Sequence, residues 1–179
     1  LSFFLKIVSS FFNKIITLLL IATIASVQFN YAQNLTMNQL VNMRKMDVGG
    51  VTNILNQKNW EFIDADEETD DVLGNVSFAY QKSDYDDNAT SFLSYYFSEE
   101  LQIKRISIQV NSRLKYNEYL SAIKKFGCKD IGSKVIDGKI DQLYQGATTS
   151  FIISNGITQN SYNVNTSYWN FELRDNDDF

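Results

Sequence analysis

A chain of 179 residues with 44% hydrophobic and 14% aromatic side chains can bury a core and build one domain, or two small halves sharing one. It contains no histidine and a single cysteine, Cys128, which excludes His-based triads, His metal sites, internal disulfides and cysteine-rich zinc sites. The net charge is −5; beyond residue 32, 14 basic residues face 21 acidic ones with no basic stripe, so nucleic acid is not an expected partner.

Lys6 and Lys14 precede an apolar run of 11 residues, Ile15 to Ala25. A bilayer-spanning helix needs ~20, so the run is short for an anchor and has the length of a signal-peptide core. We expect residues 1–32 to be a signal peptide cleaved after Ala32, with Ala25 as the rival site; the competing reading is an uncleaved amphipathic anchor. Residues 33–179 then form a single exported domain, periplasmic or extracellular, with no membrane span after leader removal. One cysteine and an exported chain fit a bacterial envelope protein that relies on its core.

Thr36 and Gln39 have capping-box spacing, with Leu40 and Met43 on one face of the short helix they start. Asp47 can start a second helix with Val51, Ile54 and Leu55 inward. Trp60, Phe62 and Ile63 open the first strand, and Asp64 to Asp71 read as an acidic loop. Val76, Phe78 and Tyr80 alternate as the next strand, and Ser83 to Asn88 turn the chain. Thr90 to Phe97 place Leu93, Tyr95 and Phe97 on one face and Phe92, Ser94 and Tyr96 on the other, the two-residue period of a strand. Arg105 to Val110 repeat that period with Ile106, Ile108 and Val110.

Tyr116, Tyr119, Leu120, Ile123 and Phe126 recur at helical spacing, predicting a helix from Lys115 to Phe126 that Gly127 ends in a left-handed cap. Asp137-Gly138 between apolar residues marks a hairpin, with Leu143 and Tyr144 on its return strand. Thr149 to Ile153 form another strand, Ser154 to Ser167 read as a long polar loop, and Trp169, Phe171 and Leu173 end the sheet. Arg174 to Phe179 read as a frayed acidic tail. The fold expected is α+β, an antiparallel sheet covered by helices on one face. Its order predicts two helix-plus-four-strand repeats, 36–110 and 115–174. Three local echoes support them: Asn59 to Ile63 with Gly127 to Ile131, Tyr80-Gln81 with Tyr144-Gln145, and Thr90 to Phe92 with Thr149 to Phe151.

Asn30 to Gln33, Phe78-Ala79-Tyr80, Ser83 to Asp86, Ile106 to Gln109, Tyr116 to Leu120 and Tyr144 to Thr149 together resemble a group of exported proteins of flavobacteria and relatives. The resemblance spans nearly all of residues 33–179 and implies a cell-envelope or secreted setting, with no activity attached. The helix-plus-four-strand order is also similar, by architecture alone, to β-lactamase inhibitor proteins, a likeness that carries no function.

Asp84, Asp86 and Asn88 alternate as oxygen ligands for calcium would. An EF-hand-type loop would need glycine at Ala89 and glutamate at Tyr95, so an ordinary solvated turn competes with the metal reading. The acidic loop could hold a cation loosely or meet a basic partner, against the plainer reading of a solvated loop. Cys128 follows a helix rather than starting one, which leaves its thiol inactivated and suits a small core residue. Phe92, Ser94, Tyr96 and Tyr85 are the candidate binding residues, because tyrosine suits surfaces with one apolar and one wet side. No catalytic set stands out and no cofactor is implied. We expect a non-catalytic binding or interaction module whose partner is another envelope or extracellular protein or a glycan. The alternative is a carboxylate-based hydrolase or a calcium-stabilised module.

Overall fold

The computed structural model describes residues 33–85, 88–136, 138–159 and 165–179. The expected leader therefore lies outside the described residues, as do Asp86 and Asp137. Three helices are described: α1 (Met37–Met43), α2 (Val48–Gln57) and α3 (Arg113–Lys125). None is long and apolar enough to cross a membrane.

Each helix starts where a side chain satisfies a free amide. Thr36 and Gln39 form the reciprocal capping box, with the Gln39 amide donating to Thr36 Oγ1 at 3.2 Å and the Thr36 amide to Gln39 Oε1 at 2.9 Å. Asp47 accepts from the Gly50 amide at 2.7 Å, which supports a first turn weakened by Gly49 and Gly50. Ser112 caps α3, which starts at Arg113, two residues earlier than the apolar spacing alone suggested. At the other end Gly127, with φ at 78°, turns the chain out of α3 beside Lys124 and Lys125, whose charges suit the carbonyl end.

Among the described residues eight strands form one antiparallel sheet: β1 (Trp60–Asp66), β2 (Gly74–Lys82), β3 (Ala89–Ser98), β4 (Ile103–Val110), β5 (Lys129–Ile136), β6 (Lys139–Gln145), β7 (Thr149–Gln159) and β8 (Asn165–Asp175). Their order across the sheet is β1-β2-β3-β4-β8-β7-β6-β5, so two meanders meet at β4 and β8. There Ile106 faces Leu173, Ile108 faces Phe171 and Val110 faces Trp169. The register slips once at each edge, between Phe62 and Asp64 in β1 and between Asp130 and Gly132 in β5.

One face of the sheet carries Val76, Phe78, Leu93, Tyr95, Ile106, Ile108, Phe151, Ile153, Phe171 and Leu173, all buried. These share one hydrophobic cluster with Met37, Leu40 and Met43 of α1, Val51 and Leu55 of α2, and Tyr119 and Ile123 of α3. Tyr119 meets Phe171 edge to face, with ring centres 5.2 Å apart. Its hydroxyl donates to the Leu35 carbonyl at 3.0 Å and bonds Gln33. The Tyr95 hydroxyl donates to the Met46 carbonyl at 2.6 Å, tying β3 to the link between α1 and α2. Burial, then the nearby Asp47 charge, pushes the Tyr95 pKa up to about 12.

Three expectations are corrected. Ser154 to Ser167 are not a long loop: β7 and β8 continue as a ribbon paired out to Gln159 and Asn165. Main-chain hydrogen bonds do not require apolar side chains, so a polar ribbon leaves no hydrophobic alternation to read. Asp64, Ala65 and Asp66 belong to β1, because at an edge both faces can be wet. The end of the chain is tied down, not frayed. The Asn176 side chain donates to the Gly146 and Ala147 carbonyls at 3.1 and 3.2 Å, and Asp178 is held by Arg105.

Truncating the fully buried Ile108 to alanine should cost ~2–5 kcal/mol, read as a lower urea midpoint with unchanged slope. Tyr95 titrates later in the folded protein than its ordinary 10.0, so its contribution is complete below pH 10 and is lost as pH rises through about 12. Tyr95→Phe should therefore show a shallower loss of stability across that window in alkaline denaturation.

Candidate functional site

The opposite, outer face of the sheet is built from the alternate residues of the same strands. Ser77 of β2, Ser94 of β3, Ser107 of β4, Glu172 of β8, Ile152 of β7 and Leu143 of β6 succeed one another in register across six strands. The neighbouring row runs Ala79, Phe92, Gln109, Asn170, Ser154 and Asp141. On the other side Asn75, Tyr96 and Arg105 lie opposite one another. Phe92, Ser94, Tyr96, Ser107, Gln109, Asn170 and Glu172 are all half-buried, as flat neighbours on a pleated surface should be.

Hydrogen bonds fix much of this face. The Ser77 and Ser94 hydroxyls are 2.9 Å apart, and Ser107 donates to Asn170 Oδ1 at 2.9 Å. Arg105 grips Asp178 with two parallel bonds of 2.5 and 2.6 Å, and Arg174 donates to Glu172 at 2.5 Å. The bond to Asp178 holds the Arg105 guanidinium still more firmly protonated than usual. The face therefore mixes polar groups with Phe92, Tyr96, Ile152 and Leu143, and is cross-tied and pre-shaped, with each arginine beside a carboxylate.

Of the four expected binding residues, Phe92, Ser94 and Tyr96 share this face. Tyr85 does not join them: it is 98% exposed in the turn between β2 and β3. In the same turn Asp84 is exposed, the Ser83 amide donates to the Asn88 carbonyl at 2.8 Å, and Asp86 lies outside the described residues. Among the described residues no three acidic or cysteine side chains are grouped as a metal site.

The acidic segment does not converge with that turn. Asp66 pairs with Asn75 at the start of β2, whereas Lys82, beside the turn, ends it. The strand from Asn75 to Lys82 separates the two by about 24 Å. Glu68 instead folds onto the β3–β4 turn, accepting from the Ser98 hydroxyl and, at 2.9 Å, from the Glu99 amide. Those two donors, the hydroxyl first, hold its carboxyl below the usual range. Glu68, Asp70 and Asp71 line a cavity of about 370 Å³ with Val72, Ser98 and Leu101.

Cys128 is half-buried against the core, and burial pushes its thiol pKa up, the reverse of an activated nucleophile. The clamp from Arg105 to the chain end escaped the sequence reading, because the two residues are 73 positions apart and no local pattern links them. No family model, curated protein or solved structure matches the chain.

The Glu68 carboxyl should titrate below its ordinary 4.5. Its contribution to the β3–β4 turn is present above that value and disappears as pH falls through the lower, folded-state midpoint. Side-chain NMR titration should show that midpoint with a coupled shift of the Glu99 amide, and Glu68→Gln should abolish the coupled shift.

Proposed function

We propose that the chain is an exported, non-catalytic binding module of the bacterial envelope, and that its outer sheet face receives an envelope or extracellular protein or a glycan. The observation carrying this reading is the in-register face of mixed polar and aromatic side chains around Phe92, Ser94 and Tyr96. Cross-strand bonds hold its side chains in place before any partner arrives, which lowers the ordering cost of association. The absence of histidine and the inactivated thiol of Cys128 favour contact over covalent chemistry.

We further propose that helices shield one side of the sheet only and that the chain arose by duplication of a helix-plus-four-strand unit. The mirrored strand order supports the second idea, as do the two edge bulges, which align Ile63 with Ile131 as in the first echo. Carrying the alignment across the ladders equates Phe78 with Tyr144, Leu93 with Phe151 and Ile108 with Leu173. Ser107 then corresponds to Glu172, and these two face each other, as a twofold axis through the sheet requires. On this alignment the Tyr80 echo is out by two residues and the Thr90 echo by one.

The test is affinity capture from envelope extracts with the leaderless protein, run beside Ser94→Arg and an edge control, Val135→Arg. A species retained by the starting protein and the control but lost with Ser94→Arg supports the outer face. Recovery of no protein or glycan, or retention by all three, removes that support.

A further inference from the structure

The core-bearing side of the sheet holds a groove beside the first turn of α3. Gln142 of β6 pairs with Ile153 of β7, and Asn155 of β7 with Trp169 of β8, so the four side chains form one floor. Arg113 and Tyr116 form the wall above it, and with Ile140 they line a cavity of about 250 Å³. The Tyr116 and Trp169 rings lie 5.0 Å apart. The Arg113 guanidinium rests over both, 5.0 Å from the Tyr116 ring centre and 5.3 Å from that of Trp169.

The pairing of charges makes Arg113 exceptional. The chain has four arginines, and Arg44, Arg105 and Arg174 each face a carboxylate. Among the described residues Arg113 faces none, although the chain carries surplus negative charge. A guanidinium packed over aromatic rings is held near them, and no other described residue hydrogen-bonds the Arg113 N–H groups, which leaves them available to take a carboxylate with two parallel bonds. Below it, Gln142 and Asn155 are exposed, and neither carboxamide hydrogen-bonds another described residue. A carboxamide both donates and accepts, so this pair matches a peptide group. Ile153, Trp169 and the 57% exposed Ile140 supply the apolar part of the lining.

We propose that this groove binds an apolar amino-acid residue by its free α-carboxylate. The carboxylate meets Arg113, the peptide group sits between Gln142 and Asn155, and the aliphatic side chain lies against Ile140, Ile153 and Trp169. The cavity has room for one such residue, so the shared chemistry is a terminal residue, either ending a peptide or as a free N-acylated amino acid. The site is on the other side of the sheet from the outer face and stands whether or not that face binds a partner.

The test follows the Trp169 indole N–H and the Gln142 and Asn155 side-chain amides by NMR during titration of the 15N-labelled protein. The probes are N-acetyl-leucine, N-acetyl-leucinamide and an acetylated pentapeptide ending in leucine. All three signals should move saturably with the two acids, and the amide should bind at least about tenfold more weakly for loss of the charged bonds. Tighter binding of the peptide than of N-acetyl-leucine identifies the peptide as the source, and equal binding identifies the single residue. Arg113→Gln, at an exposed position, should keep the dispersed spectrum and lose about tenfold in affinity for both acids, with Arg113→Lys in between. Equal shifts with acid and amide, no movement of the three signals up to about 10 mM ligand, or unchanged affinity in Arg113→Gln would overturn the proposal.

Discussion

The pairing of β4 with β8 is the constraint on which the rest depends. Each meander can form from neighbouring hairpins, but β4 ends at Val110 and β8 starts at Asn165, so their ladder closes a long loop of chain. Such closure is unfavourable until apolar contacts offset it. Here Ile106, Ile108 and Val110 meet Leu173, Phe171 and Trp169 on one side, directly beneath Tyr116 and Tyr119. On the other side the same ladder sets Ser107 against Glu172 and Gln109 against Asn170. The seam therefore positions the outer face and the Arg113 groove together.

Two arginines fasten the closing strand where it ends. Arg44, 1% exposed, leaves α1 to meet Asp175 at 2.5 Å and Thr149 at 3.2 Å, while Arg105 holds Asp178. Burying a guanidinium is expensive, and the pairing with Asp175 offsets part of that cost. The Arg44 Nε has no hydrogen-bond partner among the described residues, which adds to that cost. The two outer strands are blunted differently. β1 presents Glu61, Asp64 and Asp66, and β5 carries Lys129 and Lys134, while a bulge bends each ladder out of regular register.

What could be read from residues alone was whatever local chemistry dictates. The capping box at Thr36 and Gln39, the glycine after α3 and the alternation of Leu93, Tyr95, Ile106 and Ile108 each reduce to a short-range rule, and each is found in place. The polar ribbon of β7 and β8 was invisible because its pairing is carried by backbone groups common to every residue. Long-range polar bonds were equally hidden: Arg105 with Asp178, and Glu68 with Ser98, 30 positions away. Phe92, Ser94 and Tyr96 could be placed together because strand alternation is local. Arg113 could not be placed over Trp169, since only the seam brings those residues together.

The placement of charge bears on how the outer face could discriminate between partners. Glu172 and Asp178 are each neutralised by an arginine at hydrogen-bonding distance, so their fields largely cancel on the sheet. Much of the acidic surplus instead collects toward one end, in Glu67, Glu68, Asp70 and Asp71 after β1 and Glu99 and Glu100 after β3. Long-range attraction or repulsion therefore acts mainly from that end, screened within ~8 Å at physiological salt, while the paired charges around Arg105 and Arg174 contribute little. A partner of the outer face would be oriented by fields it meets at the rim, but accepted or rejected by shape and by the hydrogen-bonding pattern of Asn75, Ser94, Gln109 and Asn170. Selection of that kind works through contacts whose donors and acceptors are already held in position, which is what the cross-strand bonds of this sheet provide.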